Sequence, residues 1–193
     1  MSPEDVLKSI EGEAPRLGLP IIGPVRGAIL DDVVAQHRPS TILEVGTLVG
    51  YSAIRMGRHL SPGQKITCVE VNSGISEVAR SNIERAGLSD RIAILVGDAK
   101  KVLPELQGRY DMVFLDAAKD EYLFYLKSVE RRLHKGSVVA ADNVRSHPAE
   151  VAGYLEYVRN SGRYRSECRE SPNNYRYGTG RYEDDAVEVS VML

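Results

Sequence analysis

Thr41-Ile42-Leu43-Glu44-Val45-Gly46-Thr47-Leu48-Val49-Gly50-Tyr51-Ser52 is the stretch whose reading decides the fold. Its first five residues are apolar or β-branched apart from one acid, which is the composition of a buried strand. Gly46 and Gly50 then bracket a turn, and a helix is predicted over 52–60, stopped by Ser61-Pro62-Gly63. The same strand-then-helix unit recurs outward from there. Strands are predicted over 65–71, 92–96, 111–115 and 137–141, and helices over 75–86, 100–106 and 151–158, with Leu123, Leu126, Val129 and Leu133 lining the face of another. Upstream, Ile29, Leu30, Val33 and Val34 recur at helical spacing in a helix over 25–37, whereas 11–24 holds too much Gly and Pro to be regular. The tail differs: strands over 164–169 and 186–192 are joined by a long polar loop with no helix between them. The pattern predicts an α/β fold: seven strands, mostly parallel, with helices on both faces and an antiparallel C-terminal edge.

Composition narrows the function classes. The 193 residues suit a single domain over 1–193, and 42% hydrophobic with 27% charged residues excludes a disordered or collagen-like chain. Lys and Arg number 25 against 27 Asp and Glu, a net charge of −2, so no strong nucleic-acid or anionic-membrane footprint is expected. Cys68 and Cys168 are too few for a disulfide framework; Cys68, within an apolar run, reads as a core thiol, and a reducing compartment fits. There is no apolar run of about 18 residues or more. The opening residues lack the basic-then-apolar order of a signal peptide, so the expectation is a cytoplasmic protein with no membrane partner.

In open sheets of this kind ligands bind beyond the C-terminal ends of the strands. Acids stand at those ends. Glu44 lies two residues before the glycine turn, a poor neighbour for a pyrophosphate but a good one for a ligand with a positive centre, and the turn lacks the dinucleotide spacing G-x-G-x-x-G. Glu70, closing the second strand, can accept both hydroxyls of a ribose or can cap the next helix. Asp98 can accept from an adenine amine or cap the helix that it precedes. Asp116 ends the fourth strand and Asp142-Asn143 the fifth, so neighbouring strands bring two carboxylates and an amide oxygen together. Such hard oxygen donors suit Mg2+ or another divalent cation such as Ca2+, and the absence of Cys from the set argues against zinc. Lys119 can lie over the same place, where a divalent ion would disfavour its ammonium form and make it a general base; a solvated lysine at a helix start is the plainer alternative.

Taken in order, the segments from Ile42-Leu43-Glu44-Val45-Gly46 to Arg55-Met56, then Val69-Glu70-Val71-Asn72, Val96-Gly97-Asp98-Ala99, Tyr110-Asp111-Met112-Val113-Phe114-Leu115-Asp116 and Ala140-Ala141-Asp142-Asn143-Val144 resemble the metal-dependent, catechol O-methyltransferase-like family of class I S-adenosylmethionine-dependent methyltransferases. The resemblance spans about 22–158. It implies a Rossmann-like methyltransferase fold and S-adenosylmethionine with Mg2+ as cofactors. It implies that Glu44, Gly46, Tyr51 and Ser52 surround the methionine part, that Glu70 holds the ribose, that Asp98 and Ala99 flank the adenine, and that Ile22 and Asp116 complete the pocket. It further implies Asp116, Asp142 and Asn143 as metal ligands and Lys119, with Asp116, as the catalytic pair. The implied substrate is a small phenolic or vicinal diol, and a homodimer is the family-based expectation. Two features depart from the family: a short lead before Ile22, which would leave the site more open or completed by a second subunit, and Ala117, where the animal catechol enzyme carries a histidine.

The loop Asn173-Asn174-Tyr175-Arg176-Tyr177-Gly178-Thr179-Gly180-Arg181-Tyr182 offers three tyrosines and two arginines that could hold an aromatic or anionic acceptor, or could pack over the tail strands. Two alternatives stay open: methylation of a hydroxylated tRNA base, and non-catalytic binding of S-adenosylmethionine. Of the histidines only His147 follows closely on a predicted site segment.

Overall fold

In the computed structural model, which describes residues 1–193, the predicted alternation becomes five short strands, β1 (Thr41–Val45), β2 (Lys65–Glu70), β3 (Ile92–Val96), β4 (Met112–Leu115) and β5 (Val138–Ala141). Two longer ones follow, β6 (Tyr164–Arg176) and β7 (Arg181–Met192). Helices α1 (Pro3–Leu17) and α2 (Gly23–His37) precede the sheet, and α3 (Tyr51–Gly57), α4 (Ser73–Arg85), α5 (Ala99–Glu105), α6 (Tyr122–Val129) and α7 (Ala152–Asn160) connect its strands. The strand order is β3-β2-β1-β4-β5-β7-β6; β1 to β5 are parallel, and β7 runs antiparallel to both β5 and β6. This is the seven-stranded, mostly parallel sheet with an antiparallel edge that the sequence predicts.

Strand periodicity divides the core in two. Ile42, Ile66, Cys68, Met112 and Phe114 pack on one face with residues of α1 to α4, while Leu43, Val45, Val69, Val113 and Leu115 pack on the other with residues of α5 to α7. Each fully buried side chain of this size contributes about 1.5–3 kcal/mol. The direction of chain crossing reverses between β1 and β4, which lie side by side, so the loops that leave them part and open a crevice at their C-terminal ends. Gly46 lets the two ends meet: its φ is 88°, and a Cβ there would lie 2.4 Å from the carbonyl oxygen of Asp116.

Two expectations are corrected. Residues 11–17 are helical, because Val6, Leu7, Ile10 and Ala14 make a buried stripe that holds α1 against its neighbours. Pro15 sits in the last turn, where it removes one hydrogen bond without breaking the stripe. A capping box starts this helix: the Ser2 Oγ accepts from the Asp5 amide at 3.1 Å and Asp5 Oδ2 accepts from the Ser2 amide at 3.1 Å. The polar loop of the tail, in turn, continues as strand on both sides, so β6 and β7 form a ribbon that reaches past the sheet, with a register shift between Ser171 and Asn174. No helix is long and apolar enough to cross a membrane.

Candidate active site

A cleft of about 520 Å³ runs along the C-terminal ends of the strands. Of the residues singled out in the sequence, Ile22, Gly46, Tyr51, Ser52, Glu70, Asp98, Ala99, Asp116, Lys119 and Asn143 line it. Glu44 and Asp142 do not: both carboxylates are buried behind the wall. The order of the strands gives the cleft an order too, with Asp98 after β3, Glu70 on β2, Gly46 after β1, Asp116 after β4 and Asn143 after β5.

On the β1–β3 side, Glu70 is held by backbone amides. Leu48 donates to its Oε2 and Asn72 donates to its Oε1, each at 3.0 Å. The helix cap that Glu70 might have made is made by Asn72 instead, whose Oδ1 accepts from the Ile75 amide at 3.0 Å. Each carboxylate oxygen of Glu70 keeps a lone pair for a further donor such as a hydroxyl. Asp98 does cap α5, its Oδ1 accepting from the Lys100 amide at 2.9 Å, which leaves Oδ2 to the cleft. Glu44 lies beneath the turn and accepts from the Ser52 hydroxyl through Oε1, while its Oε2 has no partner. Complete burial pushes the Glu44 carboxyl up to about 7. From there it orients Ser52 rather than touching a ligand in the cleft.

On the β4–β5 side, Lys119 donates to Asp116 Oδ1 at 2.7 Å and to the Tyr122 hydroxyl at 2.8 Å, and the Tyr122 hydroxyl in turn donates a hydrogen bond to the carbonyl of Asp142 at 3.1 Å. Two residues that the sequence reading did not single out complete this half. Arg26, 4% exposed, donates through Nη2 to Asp142 Oδ2 at 3.1 Å and through Nη1 to Asp185 Oδ2 at 3.0 Å. Asp185, fully buried on β7, also accepts from the Asn143 side-chain amide at 2.7 Å and from the Ser146 hydroxyl at 2.9 Å. Against the upward push of burial, Arg26 and these donors hold Asp185 below the usual carboxylate range. Asp142 is pushed the other way by burial and by Asp116, against the pull of Arg26. A signal for Arg26 was present: it stands four residues before Leu30 on the apolar face of α2, where a charge needs a buried partner.

The donor types suit a divalent cation, although the Asp142 carboxylate lies behind the wall and is paired with Arg26. Asp142 Oδ1 is buried without a hydrogen-bond partner, although Arg26 Nε approaches to 2.9 Å without hydrogen-bonding alignment. Asn143 has a left-handed backbone, φ 62°, and its amide nitrogen is tied to Asp185, which leaves its oxygen uncommitted. With Asp116 these make two carboxylates and one amide oxygen, the hard donors that Mg2+ takes. No group of three or more His, Cys, Asp or Glu side chains stands in metal-holding array.

The tail ribbon reaches the cleft with one side chain of the predicted loop, Arg176. The tyrosines pack instead. Tyr175 stacks edge-on with Tyr177 and Tyr182 at ring separations of 4.9 and 5.4 Å, and Tyr177 covers Gly23, where a Cβ would lie 2.6 Å from the ring. The ribbon therefore roofs the segment Pro20 to Ile22, which itself lines the cleft. His147 lines it as well.

Comparison with known proteins matches residues 16–153 to the family model described as O-methyltransferase. The chain is 40% identical over 154 residues to a catechol O-methyltransferase of Sus scrofa, covering 76% of this chain and 81% of that protein. It is 38% identical over 154 residues to the catechol O-methyltransferase of Mus musculus, covering 76% of this chain but 57% of the relative's length. Among solved structures, an O-methyltransferase from Bacillus cereus in complex with SAH superposes with a TM-score of 0.82 at 26% identity, over 97% of this chain and 90% of that one.

Proposed function

Because the chain belongs to the O-methyltransferase family, we propose that it transfers the methyl group of S-adenosylmethionine to one oxygen of a small aromatic vicinal diol, with Mg2+ as the metal. The observation that carries this reading is the convergence of Glu70, Asp98, Asp116, Lys119 and Asn143 in one cleft. Glu70 and Asp98 offer acceptor oxygens for a ribose and an adenine amine. Gly46, Tyr51 and Ser52 face the next part of the cleft, and the buried Glu44 beneath them adds negative potential where a sulfonium would lie. Ile22 and the neighbouring Ile21 close that part with apolar surface and exclude water.

Asp116, Asp142 and Asn143 would hold the cation. A divalent cation held there would supply Lewis-acid polarisation that makes an acceptor hydroxyl more acidic. Lys119, positioned beside Asp116 and Tyr122, acts in its neutral amine form and receives the proton of the attacking hydroxyl. The oxygen forms its bond to the methyl carbon as the carbon–sulfur pair returns to sulfur, leaving a neutral thioether and a protonated Lys119. Alignment of oxygen, carbon and sulfur by a rigid sheet edge supplies much of the acceleration. Arg26 keeps the buried Asp142 and Asp185 compensated throughout.

The test is methyl transfer from S-adenosylmethionine to catechol, followed by mass spectrometry, with Mg2+ and with chelator. Product with Mg2+ and a loss of about hundredfold or more in Asp142→Ala is the expected result. Wild-type turnover by D142A in chelator would remove the metal from the reading. Absence of product in Mg2+ from a chain that binds S-adenosylhomocysteine would overturn catalysis and leave a binding protein.

A further inference from the structure

The methyl-transfer reading places a diol at the ends of β4 and β5. The rest of an aromatic acceptor then points away from the β1–β3 half, toward the tail ribbon. The charge of that end is distinctive. Beyond Asp116 and Glu121, which follow β4, no carboxylate lines the cleft; β5 and the ribbon contribute Asn143, His147 and Arg176. Each cation on this side has a carboxylate partner, Arg26 with Asp142 and Asp185, Lys119 with Asp116 and Arg176 with Glu183, and Arg176 alone also spends a guanidinium nitrogen on an imidazole, that of His147.

Arg176 is held from two directions. Its Nη1 donates to Glu183 Oε2 at 3.1 Å, and its Nη2 lies 3.4 Å from His147 Nε2. The hydrogen-bond partners of His147 fix its tautomer. Ser146 Oγ lies 2.9 Å from Asp185 Oδ2 and 2.9 Å from His147 Nδ1. A carboxylate can only accept, so the single hydroxyl proton of Ser146 goes to Asp185, and Ser146 must accept from His147 Nδ1–H. In the neutral ring Nε2 then carries a lone pair and accepts from Arg176. A chain of hydrogen bonds thus runs from the roof, Arg176 to His147 to Ser146 to Asp185, and ends on the residue that also orients Asn143. The long contact to a neutral imidazole is the weak member of the chain, and a carboxylate oxygen is the stronger acceptor for the same N–H.

From this arrangement we infer that Arg176 is a specificity-determining residue that anchors a carboxylate carried by the aromatic diol, an inference that rests on the methyl-transfer reading above. The guanidinium is fixed by Glu183 and His147 before the acceptor arrives, so little side-chain freedom is lost on binding. Glu183 holds Nη1 and the weaker partner His147 holds Nη2, so an incoming carboxylate takes over the Nη2 contact, and Tyr177, packed on Gly23, fixes the backbone that carries the guanidinium. The favoured acceptors are therefore dihydroxybenzoate-type acids rather than neutral or cationic catechols.

The experiment compares 3,4-dihydroxybenzoate with its neutral isostere 3,4-dihydroxybenzamide, each with S-adenosylmethionine and Mg2+. The wild type is expected to favour the acid in kcat/KM by about tenfold or more, mostly through KM. Arg176→Gln should bring that ratio to within about twofold of unity, and Arg176→Lys, which keeps the charge but loses the fork, should fall between. Arg181→Gln, an exposed change at the ribbon tip, should keep the wild-type ratio. Equal use of acid and amide by the wild type, or a ratio unchanged in R176Q, would overturn the inference and leave methyl transfer standing. No methylation of either diol would overturn both.

Discussion

The setting of Glu44 places a pH-dependent demand on this molecule. Glu44 is a carboxyl on a central strand, paired in register with Cys68 and Phe114, with no cation against it. Its ordinary value is 4.5 and burial raises it to about 7, so between those values the folded chain keeps a proton that the unfolded chain releases. The sign follows: stability attributable to this group is greatest in acid and falls as the pH rises from 4.5 to about 7, by about 3 kcal/mol. Glu44→Gln removes that dependence. Urea unfolding at pH 5 and pH 8 should show the variant losing less stability than the wild type across the interval, and gaining relative to it at pH 8. The same variant should bind S-adenosylmethionine more weakly at pH 8, where the wild-type carboxyl is ionised and its negative potential is lost on substitution. Equal pH dependence in both chains would mean that Glu44 is ionised and compensated in the folded state.

Among the elements, the turn after β1 does most to make the site. At Gly46 the positive φ and the 2.4 Å approach to Asp116 both exclude a side chain, so Gly46→Ala should cost at least about 2 kcal/mol in urea unfolding and weaken cofactor binding through Leu48 and Glu70. A variant as stable as the wild type would show that the two strand ends can part freely. This turn and the strands around it were legible in the sequence, since buried parallel strands are short apolar runs and their ends are marked by Gly or acids. The helix α1 and the tail ribbon were less so. Pro15 and Gly12 argue locally against a helix that is held by tertiary burial of Val6, Ile10 and Ala14. In residues 173–182, polar side chains on an edge ribbon carry little alternation to read. The site was legible where its residues close strands, as with Glu70, Asp116 and Asn143. Arg26 and Asp185 escaped because their meaning lies in each other: they are 159 positions apart and become partners only when α2 packs beside β7.

At the scale of the whole molecule, sheet order and cleft order coincide. From β3 across to β6 the strand ends present Asp98, Glu70, the glycine turn after β1, Asp116 with Lys119, the Asn143 amide and then Arg176. The chain's net charge of −2 says nothing of this local arrangement, in which Glu70, Asp98, Asp116 and Glu121 line the cleft and Arg176, paired with Glu183, stands at the ribbon end. The central claim is that the β1–β3 half is a nucleoside pocket. It is tested most directly by calorimetric titration with S-adenosylhomocysteine in Mg2+ buffer, for the wild type and Glu70→Ala. One-to-one binding in the micromolar range, weakened by about tenfold or more in E70A, is the expected result. No heat of binding at high ligand concentration, or equal affinity in the two chains, would contradict it.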